Sequence, residues 1–119
     1  MKTRIAINGF GRIGRNLFRL LLNHPTIEVV AINDIADNKT MAHLVKYDSI
    51  HGVLNHKVSF SDDSIIIDEK SFLFFHEREI KNLDWKSVNV DIVIESTGKF
   101  KTFEEINQHI LAGAKKVIL

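Results

Sequence analysis

Three glycines, Gly9, Gly11 and Gly14, stand where a chain could cradle phosphate. They lie in the run Asn8-Gly9-Phe10-Gly11-Arg12-Ile13-Gly14-Arg15, a Gly-x-Gly-x-x-Gly spacing between an apolar strand and an amphipathic helix. That context gives each glycine a job: Gly9 permits a tight turn, Gly11 lets a pyrophosphate approach the backbone, and Gly14 lets the helix pack closely on the sheet. The helix N-terminus adds free N–H groups and about half a positive charge. Asp34 closes the next apolar run, and its carboxylate can accept hydrogen bonds from both hydroxyls of a ribose. It would also repel a 2′-phosphate, and Ile35 and Ala36 bring no cation to hold one, so the residues favour NAD over NADP. Arg12 and Arg15 oppose the helix dipole at a cost of roughly 0.3–1 kcal/mol each. A bound polyphosphate would reverse that sign; plain solvation of both arginines is the alternative.

Other chemistry is thinly represented. The chain has no cysteine, which excludes disulfides, cysteine–zinc sites and a thiolate nucleophile within these 119 residues. His24, His43, His51, His56, His76 and His109 show no metal-ligand spacing and are expected to be structural or solvated. No catalytic residue and no metal ligand is assigned.

The elements that must position the turn follow from the apolar patterns. Strands are predicted at residues 3–8, 27–33, 91–95 and 115–119. The first helix is expected to bury Ile13, Leu17, Leu20 and Leu21, to turn Arg12, Arg15, Asn16 and Arg19 away, and to end at His24-Pro25. A short helix over residues 40–47 would carry Met41, Leu44 and Val45. Residues 57–60, 64–68 and 71–76 read as an antiparallel excursion. Thr102 to Glu105 forms a capping box, opening a helix with Ile106, Ile110 and Leu111 and with Gly113 at its end. Phe72, Phe74, Phe75 and Trp85 read as packing residues. The fold class is α/β: a Rossmann-type doubly wound, mainly parallel sheet with a short antiparallel insertion.

Composition agrees with one ordinary globular domain, 45% hydrophobic and 26% charged with a net charge of +1. No large basic or acidic field points to nucleic acid or a membrane surface. No signal peptide or membrane-length apolar run is present, and the cytoplasm is the expected location.

Several separated motifs then agree on one family. Ile7–Arg15, Ala31-Ile32-Asn33-Asp34, Lys46–Gly52, Glu95-Ser96-Thr97-Gly98 with Phe100, and Ala112–Val117 together resemble the glyceraldehyde-3-phosphate dehydrogenase family, in order and in spacing. The resemblance implies that Gly9, Phe10, Gly11, Arg12 and Ile13 line the pyrophosphate of NAD and that Asn33 and Asp34 hold the adenosine. Arg78 would lie along the adenine, and Thr97, Gly98 and Phe100 would close its pocket. Tyr47 to Gly52 resembles a segment near subunit contacts. Two departures stand out. Glu79-Ile80 replaces a usual Asp-Pro pair, and Val53 replaces a usual basic residue.

In that family a cysteine thiolate attacks the aldehyde and a histidine takes the proton. Hydride passes to NAD, and phosphate releases an acyl phosphate. Both side chains would lie beyond residue 119, so residues 1–119 are expected to be an incomplete dinucleotide-binding domain, inactive alone, of a protein that is a homotetramer when full length. The last strand, with no residues after it, is read as a truncation. Erythrose-4-phosphate dehydrogenase and a non-catalytic nucleotide-binding module are the alternatives.

Overall fold

In the computed structural model, which describes residues 2–48, 52–53 and 56–119, strand β1 (Thr3–Asn8) alternates Ile5 and Ile7 with Ala6. Successive side chains point to opposite faces of a sheet, so the isoleucines enter one apolar cluster and Ala6 a second. Strand β2 (Ile27–Asn33) sends Val29 and Ile32 to the first and Ala31 to the second. Burial on both faces is why these strands read as almost continuous apolar runs.

Helix α1 (Arg12–Leu21) covers the first face through Gly14 and Phe18, four residues apart on one stripe. Ile13 and Leu20 are not on that stripe; they are 73% and 71% exposed. Gly14 sets the contact line because it lies against the turn itself: a Cβ there would come within 2.4 Å of the Gly9 carbonyl oxygen. Ile13 is rotated about 100° from it. The helix also ends before Pro25, at Leu21. Arg12 is exposed as expected, but Arg15 and Arg19 do not simply face solvent. Arg15 Nη1 donates to the Phe10 carbonyl at 3.0 Å, and Arg19 donates to the carbonyls of Val45 and Lys46 at 3.2 and 3.4 Å.

Helix α2 (Asn38–Lys46) starts two residues earlier than expected, because Asp37 caps it by accepting from the Thr40 N–H at 2.7 Å. Met41, Ala42 and Val45 complete the first cluster. Strands β3 (Tyr47–Asp48) and β4 (Gly52–Val53) form an antiparallel ribbon. His51 and the rest of that motif's centre lie outside the described residues.

Strands β5 (Val58–Phe60), β6 (Ser64–Ile67) and β7 (Lys70–Phe75) pair antiparallel in turn. They are the expected antiparallel group, and β7 also runs parallel to β2, which joins the group to the main sheet. After a 3-10 turn at Ile80–Asn82, Leu83, Trp85 and Val90 pack on the second face. Strand β8 (Ile92–Glu95) returns beside β1, in parallel. Helix α3 (Phe103–Leu111) opens on the expected Thr102–Glu105 capping box. Its buried residue is His109 rather than Ile110 or Leu111, which are 39% and 80% exposed. Strand β9 (Lys116–Ile118) follows, parallel to β8.

Among the described residues, seven strands form one sheet in the order β5-β6-β7-β2-β1-β8-β9. The chain leaves β1 toward β2 and later crosses back to β8 on the other side. A crevice therefore opens at the carboxyl end of β1, where doubly wound sheets bind ligands. No helix among the described residues is long and apolar enough to cross a membrane.

Candidate functional site

The three strands that flank the crevice all end on a polar residue: Asn8 on β1, Asn33 on β2 and Glu95 on β8. In register, Asn8 faces Asn33 on one side and Glu95 on the other. The turns beyond them enclose a cleft of about 310 Å³, lined among others by Gly9, Gly11, Asn33, Asp34, Arg78, Thr97 and Phe100. These seven expected site residues are thus brought together. Asn8, Ile35, Glu77, Ser96 and Lys99 also line it and were not anticipated.

Phe10, Arg12, Ile13 and Gly98 are not among the residues lining the cleft. Phe10 points the other way, 1% exposed, with Phe18 and Phe74 edge-on to its ring at 5.5 and 5.4 Å. Its N–H serves the turn by donating to Asp34 Oδ2 at 2.7 Å. Arg12 and Ile13 lie in the first turn of α1, and Gly98 takes a left-handed φ of 74° in the turn after β8.

The Gly9 turn is locked from both sides. Gly9 has a φ of 98°, and a Cβ there would lie 2.8 Å from both the Thr97 amide nitrogen and Thr97 Cγ2. The Ser96 hydroxyl donates to the Gly9 carbonyl at 2.7 Å. Gly11 differs: a Cβ there would meet nothing within 4 Å and would project into open space. This is the cradle a pyrophosphate requires. Gly11 caps α1 with no side-chain hydrogen bond, and no acidic residue stands in the first turn. The first helical bond made is Arg15 N–H to the Gly11 carbonyl, so the N–H groups of Arg12, Ile13 and Gly14 precede any intrahelical partner. The residues present fit a dinucleotide: donors for its phosphates at one end, and Asp34 for a ribose at the other.

Asp34 is held ready. Besides Phe10, the Ala36 N–H donates to its Oδ1 at 3.0 Å, which orients the carboxylate at the end of β2. The carboxylate still has lone pairs to offer, since it can accept about four hydrogen bonds.

A buried polar chain lies beneath the cleft. Trp85 Nε1 donates to His109 Nδ1 at 2.9 Å. An indole N–H only donates, so Nδ1 carries no proton and His109 donates through Nε2 to Glu95 Oε1, 2.8 Å away. Asn8 Nδ2 donates to the same oxygen at 2.6 Å. The other oxygen, Oε2, accepts from the Thr97 N–H and hydroxyl at 3.0 and 2.7 Å. Burial pushes the Glu95 carboxyl up, but the hydrogen bonds from His109, Thr97 and Asn8 outweigh it and hold it below the usual glutamate value.

The consequence for stability has a definite sign. A carboxyl depressed by folding contributes stability that is full above its unfolded pKa and is lost as pH falls through the folded one. Thermal midpoints measured against pH should therefore decline on the acid side, and Glu95→Gln should flatten that decline. Acid limbs of equal slope in the two proteins would show that Glu95 contributes nothing there.

Fold and cleft together define a doubly wound dinucleotide-binding domain. The family model described as "Glyceraldehyde 3-phosphate dehydrogenase, NAD binding domain" matches residues 3–103, and the chain belongs to that family, whose cofactor is NAD. The chain is 50% identical over 119 residues to a glyceraldehyde-3-phosphate dehydrogenase of Geobacillus stearothermophilus, covering all of this chain and 36% of the relative. It is 52% identical over 116 residues to that of Mycoplasma pneumoniae, covering 98% of this chain and 34% of the relative. For Thermotoga maritima it is 52% over 118 residues, covering 98% of this chain and 35% of the relative. The chain thus spans about a third of the length of these relatives.

Proposed function

We propose that this chain is the NAD-binding portion of a phosphorylating glyceraldehyde-3-phosphate dehydrogenase, a cytoplasmic homotetramer that converts aldehyde, NAD and phosphate to acyl phosphate and NADH. The observation that carries the reading is the juxtaposition of Gly11's open cradle, the uncapped start of α1 and the Asp34 carboxylate around one cleft. In this division of labour the chain binds and orients the dinucleotide. Gly11 and the first turn of α1 hold the pyrophosphate, Asn33 and Asp34 the adenosine, and Arg78, Thr97 and Phe100 the adenine side. NAD, once bound, supplies the hydride acceptor. The thiol chemistry comes from outside these residues, which contain no cysteine.

The test has two arms. The whole protein should reduce NAD with glyceraldehyde 3-phosphate and inorganic phosphate, and faster than with erythrose 4-phosphate. Residues 1–119 alone, purified free of host enzyme, should give no NADH absorbance above a blank. Turnover by the isolated chain would mean that the chemistry has been assigned to the wrong part of the protein, and a preference for the four-carbon sugar would reassign the substrate.

A further inference from the structure

The polar chain beneath the cleft has a direction at both ends. On one side the Trp85 indole can only donate, which forces His109 to donate onward to Glu95. On the other side the Glu77 N–H donates to Asn33 Oδ1 at 2.9 Å, so Asn33 presents its Nδ2 to Asn8 Oδ1 at 2.7 Å. Asn8 is then left with its own Nδ2 for Glu95. Asn33 cannot flip without also losing its bond from Nδ2 to the Glu77 carbonyl at 2.9 Å. Two rows of donors, started by groups that cannot reverse, therefore converge on one oxygen. The second oxygen meets two more donors, both from Thr97.

With donors meeting both oxygens, only an acceptor-only group fits, and an ionised carboxylate is the side chain of that kind. We propose that Glu95 is a positioning residue for the dinucleotide: as the shared end of both donor rows it sets the gap between the Gly9 turn and the Ser96–Thr97 turn. The link to the cleft is direct. Asn8 leads into Gly9, Thr97 lines the opposite wall, and the two walls already touch at the distance where a single Cβ would collide. The Thr97 hydroxyl gives its one proton to Glu95 and accepts from the Lys99 N–H at 3.1 Å, so it has no O–H left to donate to a ligand. This inference rests on reading the cleft as the dinucleotide site.

Glu95→Gln is the discriminating variant because it keeps size and removes one acceptor. Its carbonyl must take the Oε1 position, where both donor rows end, so its NH₂ is left facing the Thr97 N–H. Damage should therefore fall on the Ser96–Thr97 turn. In the whole apo-protein, amide exchange at Thr97 should speed up in the variant. NAD affinity by calorimetric titration should fall about tenfold, the value of one hydrogen bond to a charged group. The KM for NAD should rise with kcat unchanged.

Wild-type protein that binds no NAD would overturn the reading of the cleft itself. Wild-type binding with an unchanged affinity and unchanged Thr97 exchange in Glu95→Gln would leave that reading intact and overturn this one. Should the variant fail to fold, nitrogen NMR of His109 in the wild-type apo-protein decides. A ring protonated on Nε2 and bare on Nδ1 is expected; a proton on Nδ1 would break the convergence and refute the role.

Discussion

Gly11→Ala should leave the fold intact and cost the protein most of its grip on NAD. The backbone at Gly11 has a φ of −76°, which alanine adopts freely, and the new methyl would meet no protein atom within 4 Å. Stability should hold or rise by roughly 0.4–1 kcal/mol, because alanine narrows the unfolded ensemble. The methyl would nevertheless stand where the pyrophosphate must approach the backbone. Loss of one hydrogen bond to a charged phosphate, about 1.5–3 kcal/mol, corresponds to roughly a ten- to hundredfold weaker affinity. Gly14→Ala should show the reverse emphasis. Its Cβ would lie 2.4 Å from the Gly9 carbonyl oxygen and 3.1 Å from Ile7 Cγ2, so α1 must lift from the sheet. Overpacking of this kind costs roughly 1–3 kcal/mol and should lower the thermal midpoint by several degrees. Melting curves and NAD titrations of both variants check the pair. Undiminished NAD binding by a folded Gly11→Ala would mean that no phosphate sits at that turn.

Asp34→Ala should change which cofactor is chosen. The wild-type carboxylate would bond both hydroxyls of the NAD ribose and repel the extra phosphate of NADP. Without it, NAD affinity should drop by roughly ten- to a hundredfold, with part of the loss arising because the Phe10 and Ala36 N–H groups lose their common acceptor. NADP should gain at the same time. Arg78 and Lys99 also line the cleft and would remain there without the opposing charge of Asp34. The expected result is a NAD-to-NADP affinity ratio at least about tenfold smaller than in the wild type, measured by competitive titration in the whole protein. A ratio that stays the same would place the ribose away from Asp34.

Much of this was legible in the sequence, and for identifiable reasons. Strands β1 and β2 end where the apolar runs end, at Asn8 and Asn33, because both faces behind those residues are buried. The capping box at Thr102 and Glu105 is a purely local device, so local pattern found it. The antiparallel group within residues 57–76 was read from its alternation; the parallel pairing of β7 with β2, which joins it to the main sheet, was not. What failed depended on the third dimension. Ile13 and Leu20 follow helical spacing, yet the contact stripe passes through Gly14, which hydrophobicity scores poorly. In α3 the inward position belongs to His109, where the apolar pattern favoured its neighbours. Glu95, Asn8 and Asn33 carried a signal that went unused: three strands of apolar residues, each closing on a polar side chain at the same end of the sheet. Their partnership was invisible for another reason, since Asn8 and Glu95 are separated by 87 positions.

That separation orders events during synthesis. The Gly9 turn leaves the ribosome well before its opposite wall, which arrives only with Ser96 and Thr97. Until then β1 lacks the neighbour to which it is bonded through Ile5–Asn8, and the crevice has one side. Pairings so distant in the chain carry a loop-closure cost before they return any contact energy, and they slow folding. The glycine turn can therefore be translated early and still be unable to grasp a nucleotide. Cellular NAD cannot act as a template for the first half of this domain; it can only secure an architecture that β8 has already closed.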